Sequence, residues 1–147
     1  MKLEDVKEFL DTQPLMYLAT TEEDQPRVRP MALIYHNDQC WCCSIGGRPK
    51  IKQIQENNKI EFAVNAQSRE DMATVRGLGR ANIIENRVIK KQLSEAIPWF
   101  SGYWESYDDP NFVLFHLDIE EIEVQVPAER TFHFFNLKDG TVSSIKK

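Results

Sequence analysis

Ser44-Ile45-Gly46-Gly47-Arg48-Pro49-Lys50 places a hydroxyl, two glycines and two cations between one segment that reads as a strand and another that reads as a helix. Glycines let backbone N–H groups approach an anion, a helix N-terminus adds its positive end, and Arg and Lys supply charge-assisted hydrogen bonds. The stretch therefore predicts a site for a phosphorylated small molecule. The GxxxxGK[ST] spacing of a nucleoside-triphosphate loop and the GxGxxG dinucleotide fingerprint are both absent from it. By residue type alone a Gly-Gly pair followed by basic residues also describes a solvated turn, so the flanking sequence has to decide.

On the N-terminal side, Leu3, Val6, Phe9 and Leu10 recur at helical spacing over residues 3–12. Leu15 to Thr20 reads as a strand, Glu22 to Pro26 as a polar turn, and Arg27 to Tyr35 as the return strand. After His36-Asn37-Asp38 the chain reads as a third strand, Gln39 to Ser44, which predicts a three-stranded antiparallel meander. On the C-terminal side, residues 50–58 read as a short amphipathic helix, and Ile60, Phe62 and Val64 alternate as a strand. Gln67 to Glu70 reads as a polar loop, and Met72 to Ile84 as a strand bulged at Gly77 and Gly79. A helix ending before Pro98, an aromatic loop over residues 99–104, a long strand from Phe112 to Val126 and a hairpin turning at Asp139-Gly140 complete the chain. Six to eight strands joined by short helices predict a mainly β fold, a closed antiparallel barrel rather than an α/β sheet.

Bulk properties narrow the function. The length of 147 residues fits one domain, 1–147, and hydrophobic and charged contents of 41% and 28% exclude a disordered chain. A net charge of −5 argues against gripping a nucleic-acid backbone. With no apolar run of membrane-spanning length and no signal-peptide layout, no membrane association is expected and the location is read as cytoplasmic. Cys40, Cys42 and Cys43 are an odd cluster suited to a reducing compartment. Period-two alternation puts Cys40 and Cys42 on one strand face and Cys43 on the other, a poor chelating geometry, so no metal site is expected. Glu120, Glu121 and Glu123 read as a solvated strand edge.

Arg27, Arg29 and Met31 share a strand face. Two arginines at this spacing describe either a solvated face or an anion site. The ordered set Gln25-Pro26-Arg27-Val28-Arg29-Pro30-Met31, Trp41-Cys42-Cys43-Ser44 and Lys50 to Asn58 resembles the pyridoxamine 5'-phosphate oxidase-related FMN-binding split-barrel family. The resemblance covers residues 3–84 closely and the remainder by strand pattern. It implies a split β-barrel and a homodimer with FMN at the subunit interface. It further implies phosphate contacts from Arg29, Ser44, Arg48 and Lys50, a ring slot along Val28 to Met31 (Val28, Arg29, Pro30, Met31), and cofactor contacts from Cys43 and Arg27. Trp99, Phe100, Tyr103 and Trp104 would cover the ring from the partner subunit or serve as packing.

The implied activity is that of an FMN-dependent oxidoreductase passing electrons between a donor such as NAD(P)H and an unidentified small molecule. The alternative is a carrier of FMN, haem or deazaflavin without turnover. The sequence departs from the family pattern in three places. No Arg-Leu-His-like substrate element follows Phe112, Pro49 stands where an arginine usually precedes the lysine, and Thr74 replaces a glutamine. The first departure points away from pyridoxamine phosphate as substrate. No side chain reads as a catalytic acid or base.

Overall fold

A computed structural model describes residues 1–68 and 71–147; the predicted loop at Gln67 to Glu70 falls partly outside them. Helix α1 (Leu3–Asp11) buries Val6 and Leu10. The hairpin β1 (Leu15–Glu22) and β2 (Gln25–Ala32) turns tightly, with Glu22 opposite Gln25. The predicted strand Arg27 to Tyr35 breaks at Leu33, and β3 (Ile34–His36) pairs instead with β4 (Gln39–Ile45). Asn37 and Asp38 both adopt positive φ, the conformation of a two-residue hairpin turn. After α2 (Pro49–Glu56) come β5 (Lys59–Ser68), β6 (Asp71–Ile84), α3 (Arg87–Ala96), β7 (Phe112–Val126), β8 (Thr131–Asn136) and β9 (Val142–Lys146).

The strands pair in the order β2-β1-β5-β6-β7-β4-β3, all antiparallel, with β8 on β7 and β9 on β8. Two expectations are corrected here. The first strands do not form a three-stranded meander, because breaking at Leu33 sends β3 and β4 to the far end of the sheet. The split also raises the strand count to nine among the described residues. The sheet curls as an open path with β2 and β3 at its ends, a split rather than closed barrel.

Alternation explains the interior. Met16, Leu18, Ile60, Phe62, Val64, Val75, Phe115, Leu117 and Val124 fill the barrel. A second core packs outside it, where Leu93 and Ile97 join Phe100, Trp104, Phe112 and Leu114. Strand β4 faces both, Cys40 and Cys42 inward and Trp41 outward, so β4 and β7 form a wall buried on two sides. The predicted bulge lies at Leu78/Gly79. A Cβ on Gly77 would meet the Phe62 ring at 2.2 Å and one on Gly79 the Asp118 carbonyl oxygen at 2.0 Å, so close approach excludes side chains at both. Glu120 and Glu123 do not lie on a bare edge. Glu120 pairs with Arg80 at 3.4 Å and Lys138 at 3.2 Å, and Glu123 with Arg76 at 3.4 Å, because β7 is an interior strand.

His116 on β7 packs edge-on against Trp41, ring centroids 4.7 Å apart, and burial holds its pKa below the ordinary 6.5 despite Asp118 nearby. The folded chain then binds fewer protons than the unfolded one as pH falls from 6.5, and stability is lost through the lowered pKa. Urea midpoints measured from pH 7.5 to 5 are expected to decline, and His116→Gln to flatten that decline.

Candidate functional site

The edge strand β2 and the first turn of α2 build two cavities that meet at Arg48 and Lys50. The smaller, about 260 Å³, is lined by Arg27, Val28, Arg29, Arg48, Pro49, Lys50 and Gln53. The larger, about 430 Å³, is lined by Pro30, Met31, Ala32, Cys43, Ser44, Ile45 and the aromatics Trp99, Tyr103 and Trp104, besides Arg48 and Lys50. Of the residues singled out from the sequence, Arg27, Val28, Arg29, Pro30, Met31, Cys43, Ser44, Arg48, Lys50, Trp99, Tyr103 and Trp104 line one cavity or the other, and Phe100 lines neither. The lining residues come together by a route different from that expected: β2 and β4 lie far apart in strand order, and α2 carries Arg48 and Lys50 back toward the arginine strand.

Local sequence explains the placement. Gly47 takes a φ of +81°, left-handed backbone that lets the chain leave β4 and enter α2. Gly46 donates its N–H to the Asn111 carbonyl at 3.0 Å, and a Cβ there would sit 2.7 Å from the Asn111 side chain. Pro49 opens α2 at a position whose N–H would have no helical partner. As the sheet's end strand, β2 has one edge without a ladder partner, which leaves backbone donors and acceptors available along it.

Cations concentrate at the junction without carboxylates to neutralise them. Among the described residues no carboxylate lies within ion-pair distance of Arg29, Arg48 or Lys50, whereas Arg76, Arg80 and Arg87 are all paired. Arg27, at the rim, reaches Glu22 at 3.6 Å. Burial, and then Arg27, lowers the Arg29 pKa. Burial, followed by Arg29 and Arg48, lowers that of Lys50. Adjacent like charges, partly desolvated, repel each other until an anion arrives.

Ser44 is buried; its hydroxyl donates to the Ile45 carbonyl at 3.0 Å and accepts from Lys50 Nζ at 3.2 Å. Cys43 lines the larger cavity, yet burial pushes its thiol up to about 12, and that of Cys40 likewise, so both stay protonated. Among the described residues no group of three or more His, Cys, Asp or Glu side chains gathers as for a metal. Trp104 is nearly buried and donates its Nε1–H to the Asn111 carbonyl at 2.8 Å, while Trp99 and Tyr103 stand exposed at the cavity mouth. Trp99, Tyr103 and Trp104 line the larger cavity of their own chain, whereas Phe100 packs in the second core.

A family model described as pyridoxamine 5'-phosphate oxidase matches residues 3–126, most of the chain. The chain belongs to the pyridoxamine 5'-phosphate oxidase family. Solved structures share this family's fold. A NimC/NimA family protein from Clostridium acetobutylicum is 24% identical, with 97% of this chain and 92% of that chain covered and a TM-score of 0.67. A protein related to general stress protein 26, also from Clostridium acetobutylicum, is 17% identical, with 93% and 95% covered and a TM-score of 0.75. A FAD-binding protein from Mesorhizobium loti is 21% identical, with 84% and 92% covered and a TM-score of 0.68. A comparison with curated proteins finds no match.

Within this family member, Thr20 and Gln53 escaped the sequence reading. Both are buried polar residues bonded to each other at 2.6 Å and to Arg29. The available signal was Thr20 itself, which continues the inward-facing row of Met16 and Leu18. Thr74, where the family pattern has glutamine, bonds Asn65 at 3.4 Å and lines neither cavity.

Proposed function

We propose that this protein is an FMN-binding flavoprotein, a homodimeric oxidoreductase acting on a small molecule in the cytoplasm. The observation that carries the reading is the convergence of Arg29, Arg48 and Lys50, unneutralised, beside an aromatic-walled slot along an edge strand. A flavin phosphate is a dianion that needs several charge-assisted donors, and its ring needs a flat slot with backbone hydrogen-bonding groups. The donor set fits both halves of that ligand. Arg29, Arg48 and Lys50 would hold the phosphate, with Arg27 at the rim and Ser44 orienting Lys50. Val28, Pro30 and Met31 on β2, with Cys43 and Trp104, would flank the ring.

FMN when bound supplies the redox chemistry. The chain's own residues bind and orient it and, through Trp99 and Tyr103 at the mouth, limit water access. Among the described residues no Asp, Glu or His lines the larger cavity. That observation equally favours a second reading, a flavin carrier without rapid turnover. A haem carrier is less well supported, because His36, His116 and His133 line neither cavity. The likeness to a structure described as a FAD-binding protein supports a flavin. An apolar outer face, with Leu15, Tyr17 and Val28 exposed on β1 and β2, supports the dimer.

The test is an absorbance spectrum of the purified protein, repeated after adding FMN and removing the excess by gel filtration. Retained flavin bands are expected, and anaerobic bleaching by NAD(P)H would separate oxidoreductase from carrier. A colourless protein that fails to retain FMN would overturn the proposal.

A further inference from the structure

We infer that Gln53 is a positioning residue that holds Arg29 oriented for a phosphate without neutralising it, so that the site prefers phosphorylated over unphosphorylated ligand; the ligand's identity rests on the flavin reading above. Gln53 lies on α2 and is only 3% exposed. Its Oε1 accepts from Arg29 Nη2 at 2.7 Å and from Thr20 Oγ1 at 2.6 Å, and its Nε2 donates to Glu22 at 3.3 Å. The amide has one workable orientation. Reversed, it would aim an NH₂ at the Arg29 donors and a carbonyl at the Glu22 carboxylate.

The same helix carries Arg48 at its cap and Lys50 in its first turn. Gln53 is thus the tie between the cations of α2 and the arginine of β2, and it fixes the distance between the two halves of the cation set. It also solves an electrostatic problem. Arg29 needs an acceptor to hold its side chain still, but a carboxylate there would cancel the charge that the site gathers. Gln53 is a neutral acceptor, and it keeps Glu22 one amide away from Arg29. Arg29 Nη1 is saturated by the Leu18 carbonyl at 3.2 Å and the Thr20 hydroxyl at 2.8 Å, and Gln53 takes one Nη2 hydrogen. Of its five N–H donors, the Nε hydrogen and one on Nη2 remain for an anion.

The experiment compares FMN with riboflavin, which lacks the phosphate, by fluorescence titration at pH 8. The wild type is expected to favour FMN. Gln53→Glu keeps both acceptor bonds while introducing the cancelling charge, and Glu22→Gln made alongside it removes the carboxylate that would otherwise face the new one at the Nε2 position, so the double variant should fold, keep riboflavin affinity within about twofold, and lose roughly tenfold or more of the preference for FMN. Gln53→Leu should lose a similar factor by releasing Arg29. A folded Gln53 variant with the FMN-to-riboflavin ratio intact would overturn the inference, as would equal loss for both ligands. If neither variant folds, Thr20→Val, close in shape, must lower the ratio or the inference falls. If the wild type binds neither flavin, the flavin reading has failed, and pyrophosphate then decides. Thermal stabilisation of the wild type but not of the double variant would sustain the positioning role, and absence of stabilisation in the wild type would end it.

Discussion

Replacing Arg48 and Lys50 together by alanine is expected to weaken FMN binding by roughly 10²–10⁴-fold while leaving the fold intact. Each removed cation takes away a charge-assisted hydrogen bond of about 1.5–3 kcal/mol, and about 1.4 kcal/mol corresponds to a tenfold change. Neither side chain forms an ion pair within the described residues, and Lys50 has only the Ser44 hydroxyl as partner, so the protein loses little internal bonding. The loss should be read by fluorescence titration, with far-ultraviolet circular dichroism as the check on folding. Riboflavin affinity should change much less, and an equal loss for both ligands would mean that these residues shape the cavity rather than hold a phosphate.

The pH dependence has a definite sign. Burial and the neighbouring arginines disfavour the charged form of Lys50, so the unliganded folded chain releases that proton below its ordinary 10.5. A bound dianion favours the charged form. FMN affinity should therefore fall as pH rises through the lowered pKa. In the unliganded protein the lysine has the opposite consequence: the unfolded chain binds more protons across that window, and stability from this group rises with pH.

Gly79→Ala is expected to be the most damaging single-methyl substitution, costing about 2–4 kcal/mol and lowering the melting temperature by roughly 4–16 °C. The new Cβ would lie 2.0 Å from the Asp118 carbonyl oxygen and 2.9 Å from the Asp118 carbonyl carbon and the Ile119 Cα. These are backbone atoms in the register-shifted part of the β6–β7 ladder, and no rotamer change can move them. Gly102→Ala supplies the comparison, since nothing lies within 4 Å of its added Cβ. Calorimetric melting of the two variants should separate them clearly, and similar melting temperatures would show that the bulge relaxes freely.

What the sequence revealed follows from which physical signals are local. Alternation at Ile60, Phe62 and Val64 reports a buried strand face, and Gly77 with Gly79 reports a bulge, because each depends on neighbours within a few positions. Partner choice is not local. Residues 27–35 read as one extended strand, and nothing in their alternation says that Leu33 turns the chain to the far end of the sheet. Glu120 and Glu123 read as edge residues because their ion-pair partners on β6 lie 40 and 47 positions away in sequence. The site was legible where chemistry was concentrated, in Ser44 to Lys50 and Arg27 to Met31. Gln53 was missed because a glutamine among lysines on a short helix has the look of a solvated face; only its hydrogen bonds reveal that it turns inward.

The doubly buried wall of β4 and β7 also sets a timetable. Ile45 pairs with Phe112, and Cys40 with Leu117, so β4 leaves the ribosome long before its principal partner exists. At a synthesis rate of about 5–20 residues per second, that wait is roughly 3–15 s. Through that interval Cys40 and Cys42 lie on a strand with only β3 beside it. The thiols most deeply buried in the finished protein are therefore uncovered on the nascent chain until β7 arrives to close the wall.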